Sequence, residues 1–279
     1  MKLLAIGDNV VDYYKDKEMI YPGGNALNVA VLSKRYGTEK SSYMGIIGND
    51  LPAKHVLETL KKEDIDVTKI RQAFGENGMA VVTLNEEGDR IFLKGNKGGI
   101  QKYISLRLTE EDYEYVKAHD QVHSSVYSYF EHNLPELSKV IDISFDFSTR
   151  RDQEYLDLVC PYIKQAYFSG NDLERQECEK LIEVVHSYGV EIVGVTRGSE
   201  GALFSKNGIK YEQSIIPIDV VDTLGAGDSF IAKFIVENFE HGNMEIALLE
   251  AAKAAAKTCT IFGAFGYGLA FSRNESARL

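Results

Sequence analysis

From residue 121 onward the sequence alternates short β-branched runs with longer helical ones, and this constrains the fold more than any other feature. Gln121–Tyr127, Ile143–Ser148, Ala166–Ser169 and Glu191–Thr196 read as strands. Between them, Glu131–Val140, Gln153–Ile163 and Asp172–Tyr188 read as helices. Strands joined through helices run parallel, and helices on both faces must then cover the sheet. Upstream, Leu3-Leu4-Ala5-Ile6 is a continuous apolar run, as a strand buried on both faces requires, and Gly7 ends it. Ligands of open α/β sheets gather at the carboxyl ends of strands, so Asp8 is placed to meet one. Ser42–Gly48 reads as a further strand, Asp50–Glu63 as a helix and Met244–Thr258 as a long Ala-rich helix. With 279 residues, 44% of them hydrophobic, the chain can build one large α/β core, and residues 1–279 are expected to form a single domain.

Two stretches have a different texture. Asn9–Tyr21 alternates polar and apolar residues like exposed strands. Between Val67 and Lys97, short alternating runs (Ala80–Leu84, Arg90–Lys94) flank the turn Asn85-Glu86-Glu87-Gly88-Asp89, which predicts an antiparallel hairpin. Together, residues 9–22 and 67–97 are expected to form a small sheet standing off the main one, as a lid. Arg90 and Asn96 in this hairpin suit contact with a substrate carboxylate or hydroxyl, but a solvated hairpin face is the plainer account.

Two helices are expected to open on small residues. The first follows Pro22-Gly23-Gly24, with Asn25 and Asn28 three apart on one face and Gly37 at its stop. Amides both donate and accept, which suits sugar hydroxyls; an Asn-rich turn capping its own helix is the plainer alternative. The second lies at Asp222-Thr223-Leu224-Gly225-Ala226-Gly227-Asp228, between the extended run Ile209–Val221 and the apolar run from Ser229. Free N–H groups at a helix start attract anions, and Gly225, Ala226 and Gly227 carry no bulk to keep one away. Asp228 then puts a carboxylate beside an anion site. That is poor design for holding a resting phosphate. It is good design for a general base that takes a hydroxyl proton while a phosphoryl group arrives. A simple cap, with Asp222 or Thr223 capping and Asp228 favouring the dipole, is the plainer alternative.

Two further strand ends stand out. Asn171 and Glu174 are three apart after one strand, and Thr196-Arg197-Gly198-Ser199-Glu200-Gly201 follows another. A capping pair and an ordinary loop into the hairpin at Ala202–Lys206 are their plainer readings. Tyr127, Tyr129 and His132 follow a strand end and are candidates for substrate contact, while His119 and His123 lack metal-ligand spacing. A net charge of −11 argues against a nucleic-acid binder with a broad basic face. The scattered Cys160, Cys178 and Cys259 fit a reducing cytoplasm, and the sequence shows neither a signal-peptide run nor a membrane-length apolar one. Residues after about Phe271 read as a frayed tail. An NAD-dependent oxidoreductase would need G-x-G-x-x-G after the first strand, and a Walker-type NTPase would need G-x-x-x-x-G-K-[ST]; both are missing.

Gly23-Gly24-Asn25-Ala26-Leu27-Asn28-Val29-Ala30 with Gly37 resembles the N-terminal signature of the ribokinase-like carbohydrate kinases, the PfkB family. Asp222–Asp228 resembles their C-terminal signature, Asn171–Glu174 their Asn-x-x-Glu motif, and Thr196–Gly201 their Thr-x-Gly-x-x-Gly loop. The resemblance implies a ribokinase-like three-layer α/β/α fold, with a mostly parallel central sheet and a small β-sheet lid. It implies ATP-dependent phosphorylation of a sugar-type hydroxyl, with Asp228 as the catalytic base and Gly225, Ala226 and Gly227 as the anion hole. Asp8, Gly24, Asn25 and Asn28 match sugar contacts, and Asn171, Thr196, Gly198 and Gly201 nucleotide contacts. Glu174 matches a Mg²⁺ contact through water. Asp222, with the backbone of Leu224 and Cys259, matches a monovalent-cation site, K⁺ being the common activator. A homodimer through the lid is also implied. Within the family, Ile6–Asn9, Arg35–Gly37, Leu108–Tyr113, Phe145–Ser148 and Gly225–Ala232 resemble the members that phosphorylate fructosamines at the 6-hydroxyl. Ribokinase-type or ketodeoxygluconate-kinase-type acceptors, and a non-catalytic sugar or nucleotide sensor on the same fold, are the alternatives.

Overall fold

The computed structural model describes residues 1–84 and 90–272. The first part of the chain runs β1 (Lys2–Ile6), β2 (Val10–Tyr14), β3 (Met19–Gly23), α1 (Asn25–Arg35), β4 (Lys40–Met44), β5 (Ile46–Ile47) and α2 (Leu51–Lys62). It continues with β6 (Arg71–Gln72), β7 (Gly78–Leu84), β8 (Arg90–Gly95), α3 (Glu110–Lys117), β9 (Gln121–Ser125), α4 (Leu134–Leu137), β10 (Ile143–Asp146) and α5 (Gln153–Val159). The last part is β11 (Gln165–Ser169), α6 (Arg175–His186), β12 (Ile192–Thr196), β13 (Ala202–Lys206), β14 (Ile209–Gln213), α7 (Ala226–His241), α8 (Met244–Thr258) and β15 (Leu269–Ala270).

Eight strands form the main sheet in the order β14-β13-β12-β11-β10-β9-β1-β4. All neighbours are parallel except β12–β13 and β13–β14. Strand β1 shows why its sequence is apolar throughout. Leu3 and Ala5 point into one core with α1, α7 and α8, while Leu4 and Ile6 point into the other with α5 and α6. Successive side chains of a strand face opposite ways, so in a sheet covered on both sides every position of β1 from Leu3 to Ile6 is buried.

The second sheet has the order β15-β3-β2-β7-β8. The expected hairpin is β7 paired antiparallel with β8; its turn, 85–89, lies outside the described residues, as does the Arg90 side chain. Strands β2 and β3 are largely buried instead of exposed. Tyr13 and Ile20 reach the main core, and Tyr14 and Tyr21 form a small cluster of their own with Val82 and Leu224. Short strand β15, from the far end of the chain, covers the β3 edge.

Several boundaries differ from the sequence reading. The strand expected over Ser42–Gly48 breaks at Gly45, where a Cβ would lie 2.3 Å from the Tyr43 hydroxyl. The helix expected over Glu131–Val140 shrinks to a 3₁₀ turn and the four residues of α4, because Pro135 gives no N–H. Helix α6 begins at Arg175 instead of Asp172. The extended run ends at Gln213; 214–221, with Pro217 in it, is an irregular strap, so α7 follows a loop and not a strand. The expected frayed tail falls mostly at 273–279, outside the described residues.

Candidate active site

The carboxyl ends of β1, β10, β11 and β12 open into one cavity of about 1660 Å³. Helix α1 enters it from one side and α7 from another, each starting at a glycine in a conformation that L side chains avoid. Gly24 has φ 111°, and a Cβ there would lie 2.8 Å from the Asn9 Cα and 2.9 Å from the Asp8 carbonyl oxygen. Gly225 has φ 75°, and its Cβ would lie 2.3 Å from the Ala264 Cβ. Both glycines are therefore fixed by close approach as well as by backbone shape.

The two helix starts are used differently. The Asp8 carboxylate accepts from the Asn25 N–H at 2.7 Å and the Ala26 N–H at 3.1 Å, so it caps α1 from another strand. It also accepts from the hydroxyls of Ser125 (2.7 Å) and Ser128 (3.2 Å). Asp8 does line the cavity, as the sequence reading requires, but four donors of its own chain hold it there. At α7, the Ala226 N–H makes a 3.2 Å turn bond to the Thr223 carbonyl. The Gly227 N–H meets no acceptor among the described residues, and a Cβ at Gly227 would touch nothing within 4 Å. Backbone donors, the positive end of a 16-residue helix dipole and open space thus coincide there.

Asp228, the third residue of α7, is half-buried and lines the cavity. One of its oxygens accepts from Asn28 Nδ2 at 2.6 Å. Asn25, one turn earlier on α1, donates from Nδ2 to Asp146 Oδ2 at 2.5 Å. The two amides that sequence spacing puts on one face therefore each hold a different carboxylate. Asp146 ends β10 and also accepts from the Ser148 N–H at 2.7 Å. Burial pushes its pKa up to about 6, and the charge of Asp8 adds to this, while the bonds from Ser148 and Asn25 oppose it.

Thr196, Gly198, Gly201 and Asn171 line the far end of the cavity. Asn171 lies over Gly198, whose Cβ would come 3.3 Å from Asn171 Nδ2. The strap contributes Ile215, Ile216, Pro217 and Ile218 there, opposite Ala252 and Ala255 of α8, which makes an apolar slot. Glu174 is exposed at the start of α6 and is not among the lining residues; its N–H bonds to Glu177 at 2.9 Å. Asp222 is fully buried behind the cavity, its oxygens accepting from the Tyr14 hydroxyl, the Leu224 N–H (3.0 Å) and the Gly263 N–H (2.9 Å). The Cys259 carbonyl accepts from the N–H groups of Val221 and Asp222. Among the described residues no group of three or more His, Cys, Asp or Glu converges as a metal cage. A Mg²⁺ ion that keeps its waters and rides on phosphate oxygens fits this donor set better than one bound by protein alone.

Tyr127 and Tyr129 line the cavity, bonded to the Ser148 hydroxyl and the Lys97 carbonyl; His132 instead bonds Ser105 and Asn133. Asn96 staples the hairpin, accepting from the Met79 N–H and donating to the Asn77 carbonyl. Sequence reasoning missed Asp12, Asp146 and the strap as lining residues. The signal for Asp146 was present: like Asp8, it is an acid closing an apolar strand.

An α/β sheet, a glycine-opened helix start and a carboxylate one turn inside it, all facing one cavity, define a small-molecule phosphotransferase. Residues 8–266 match the model of the pfkB family carbohydrate kinases. The chain belongs to that family. It is 54% identical to the fructosamine kinase FrlD of Bacillus subtilis (strain 168), over 96% of this chain and 94% of that one. It is 30% identical to the fructoselysine 6-kinase of Escherichia coli (strain K12), over 95% of this chain and 100% of that one. The structure of Arabidopsis thaliana ribokinase complexed with ribose and ATP superposes with a TM-score of 0.79 at 20% identity, covering 99% of this chain and 97% of that one. The three-layer fold with a small separate sheet is thus the ribokinase fold.

Proposed function

We propose that this carbohydrate kinase transfers the γ-phosphoryl group of ATP to the 6-hydroxyl of a fructosamine, a ketose carrying an amine at C1. The observation that carries the transfer is the placing of Asp228 beside the unpaired Gly227 N–H at the α7 start. The acceptor reading is supported by the relative with 54% identity. Asp228 takes the hydroxyl proton as the sugar oxygen forms its bond to the γ-phosphorus. The bond from that phosphorus to the bridging oxygen breaks, and ADP leaves with the electron pair. The α7 N–H groups stabilise charge on the group in flight, a contribution of about 3 kcal/mol per donor. Asn28 holds Asp228 in place. Asp8, Gly24 and Asn25 shape the sugar end, and Asn171, Thr196, Gly198 and Gly201 the nucleotide end.

Mg²⁺ would supply positive charge to the phosphates, with Asn171 in the cavity wall and Glu174 at the exposed start of α6 as the residues that would hold its waters. A monovalent cation such as K⁺ is assigned to the Asp222 turn, where it has to share oxygens with three donors already present. The sheet of β2, β3, β7 and β8 serves as the lid over the sugar, excluding water so that ATP is not hydrolysed. Its edge strand β8 exposes Ile91 and Leu93, which supports a homodimer through the lid. Three free, buried cysteines fit a cytoplasmic enzyme, and no described helix is long and apolar enough to cross a membrane.

The test is ATP consumption by the purified protein with fructoselysine, ribose, fructose phosphates, ketodeoxygluconate and nucleosides as acceptors. Turnover is expected with fructoselysine. Preference for any other acceptor overturns the fructosamine reading, and no turnover across the panel revives the non-catalytic sensor.

A further inference from the structure

Asp146 is a buried acid in the cavity wall that the transfer reaction does not use. Its place relative to the base is set by α1. Asn25 and Asn28 are three residues apart, so their Cβ atoms stand about 5–6 Å from each other. Asn28 holds Asp228 and Asn25 holds Asp146, so neighbouring amides of α1 anchor two carboxylates that both line the cavity. Asn28 Oδ1, on the amide that holds Asp228, is buried and has no hydrogen-bond partner among the described residues. A sugar with its reacting hydroxyl at Asp228 and its length along α1 meets Asp146.

Of the acids that line the cavity, Asp8 and Asp146 are not equally compensated. Asp8 has two backbone N–H groups at the positive end of α1 and two hydroxyls. Asp146 has one amide side chain and one N–H. No Lys or Arg among the described residues forms an ion pair with either, although Lys94 and Lys97 line the same cavity. A buried carboxylate with no cation of its own, beside a second acid, costs free energy that a visiting cation would recover. The raised pKa of Asp146 has the same origin.

We propose that Asp146 is the subsite for a protonated amine on the acceptor and selects sugars that carry a secondary ammonium at the carbon opposite the phosphorylated hydroxyl. This rests on the kinase reading above and adds the residue that distinguishes an aminated ketose from a neutral one. Asn25 is its positioning residue.

Two acceptors of the same shape test it: a 1-alkylamino-1-deoxyfructose and the 1-O-alkyl ether of fructose, which lacks the charge. The wild-type enzyme is expected to prefer the amine by about 30-fold or more in kcat/KM, the scale of a buried charge pair losing one partner. In Asp146→Asn that ratio is expected to collapse to within about 3-fold, with the change mainly in KM for the amine. Equal use of the two acceptors by the wild type overturns the proposal and leaves the kinase reading standing. So does a parallel loss in Asp146→Asn that preserves the ratio. Turnover of neither acceptor removes the fructosamine reading and this inference together. Should Asp146→Asn fail to fold, Asn25→Ala, which removes the amide that holds Asp146, is expected to lower the ratio instead, and an unchanged ratio there overturns the proposal.

Discussion

The starts of α1 and α7 are built alike and filled differently. Each begins at a glycine pressed against a neighbour, and each faces the same cavity. At α1 the chain supplies its own anion, Asp8, and the helix dipole is answered within the protein. At α7 no carboxylate among the described residues accepts from the Gly227 N–H, and Asp228 beside it is held by Asn28. The difference separates a structural helix start from a working one more clearly than the glycine motif does. A plugged start holds a wall in place, whereas an open one with a restrained base alongside attracts a phosphoryl group and a proton donor together.

The comparison can be broken at either end. The largest effect is expected at α7: Asp228→Asn should cut turnover by about 100-fold or more while nucleotide affinity stays within a few-fold. Steady-state rates alongside a nucleotide titration check it, and near-normal turnover removes the base. At α1, Asp8→Ala leaves two helix N–H groups and two hydroxyls without their acceptor, and should cost about 3 kcal/mol in urea unfolding.

The acid bonded to Asn25 gives a pH signature. The folded-state pKa of Asp146 is raised, so its contribution to stability is fully present below the unfolded value near 3.8 and is lost as pH rises through about 6. Between pH 4.5 and 7.5 the wild type should lose about 2 kcal/mol relative to Asp146→Asn, measured as the difference in unfolding free energy. A parallel pH dependence in the two proteins refutes the assignment. The smallest expected effect sharpens the contrast between glycines. Gly24→Ala forces a Cβ against backbone and should cost about 2 kcal/mol. Gly227→Ala enters open space and should stay within about 1 kcal/mol of wild type in stability, yet slow phosphoryl transfer by crowding the anion.

Much of this was legible in the sequence because periodicity reports burial. The apolar run at β1, the alternation from residue 121 and the two small-residue helix starts each follow from a local rule. The Asn25–Asn28 spacing even gave the face that meets the cavity. Partners distant in sequence were not legible. Nothing near Asp8 shows that it caps α1, because the cap comes from another strand. Pro217 and the exposed apolar strap read as strand continuation because β-branched residues look alike in a strand and along a cavity wall. Strands β2 and β3 read as exposed because their polar positions face a cavity and a cluster of tyrosines, not bulk water.

Strand β15 carries a consequence for how the molecule is made. It pairs with β3, so the second sheet, proposed above as the lid, takes strands from near both ends of the described chain. A nascent chain leaving the ribosome has α1 and its plug early, but the β3 edge stays bare until Leu269 and Ala270 emerge. The cover is then finished last, and a product truncated before β15 would present an open strand edge to its neighbours, a ready site for aggregation.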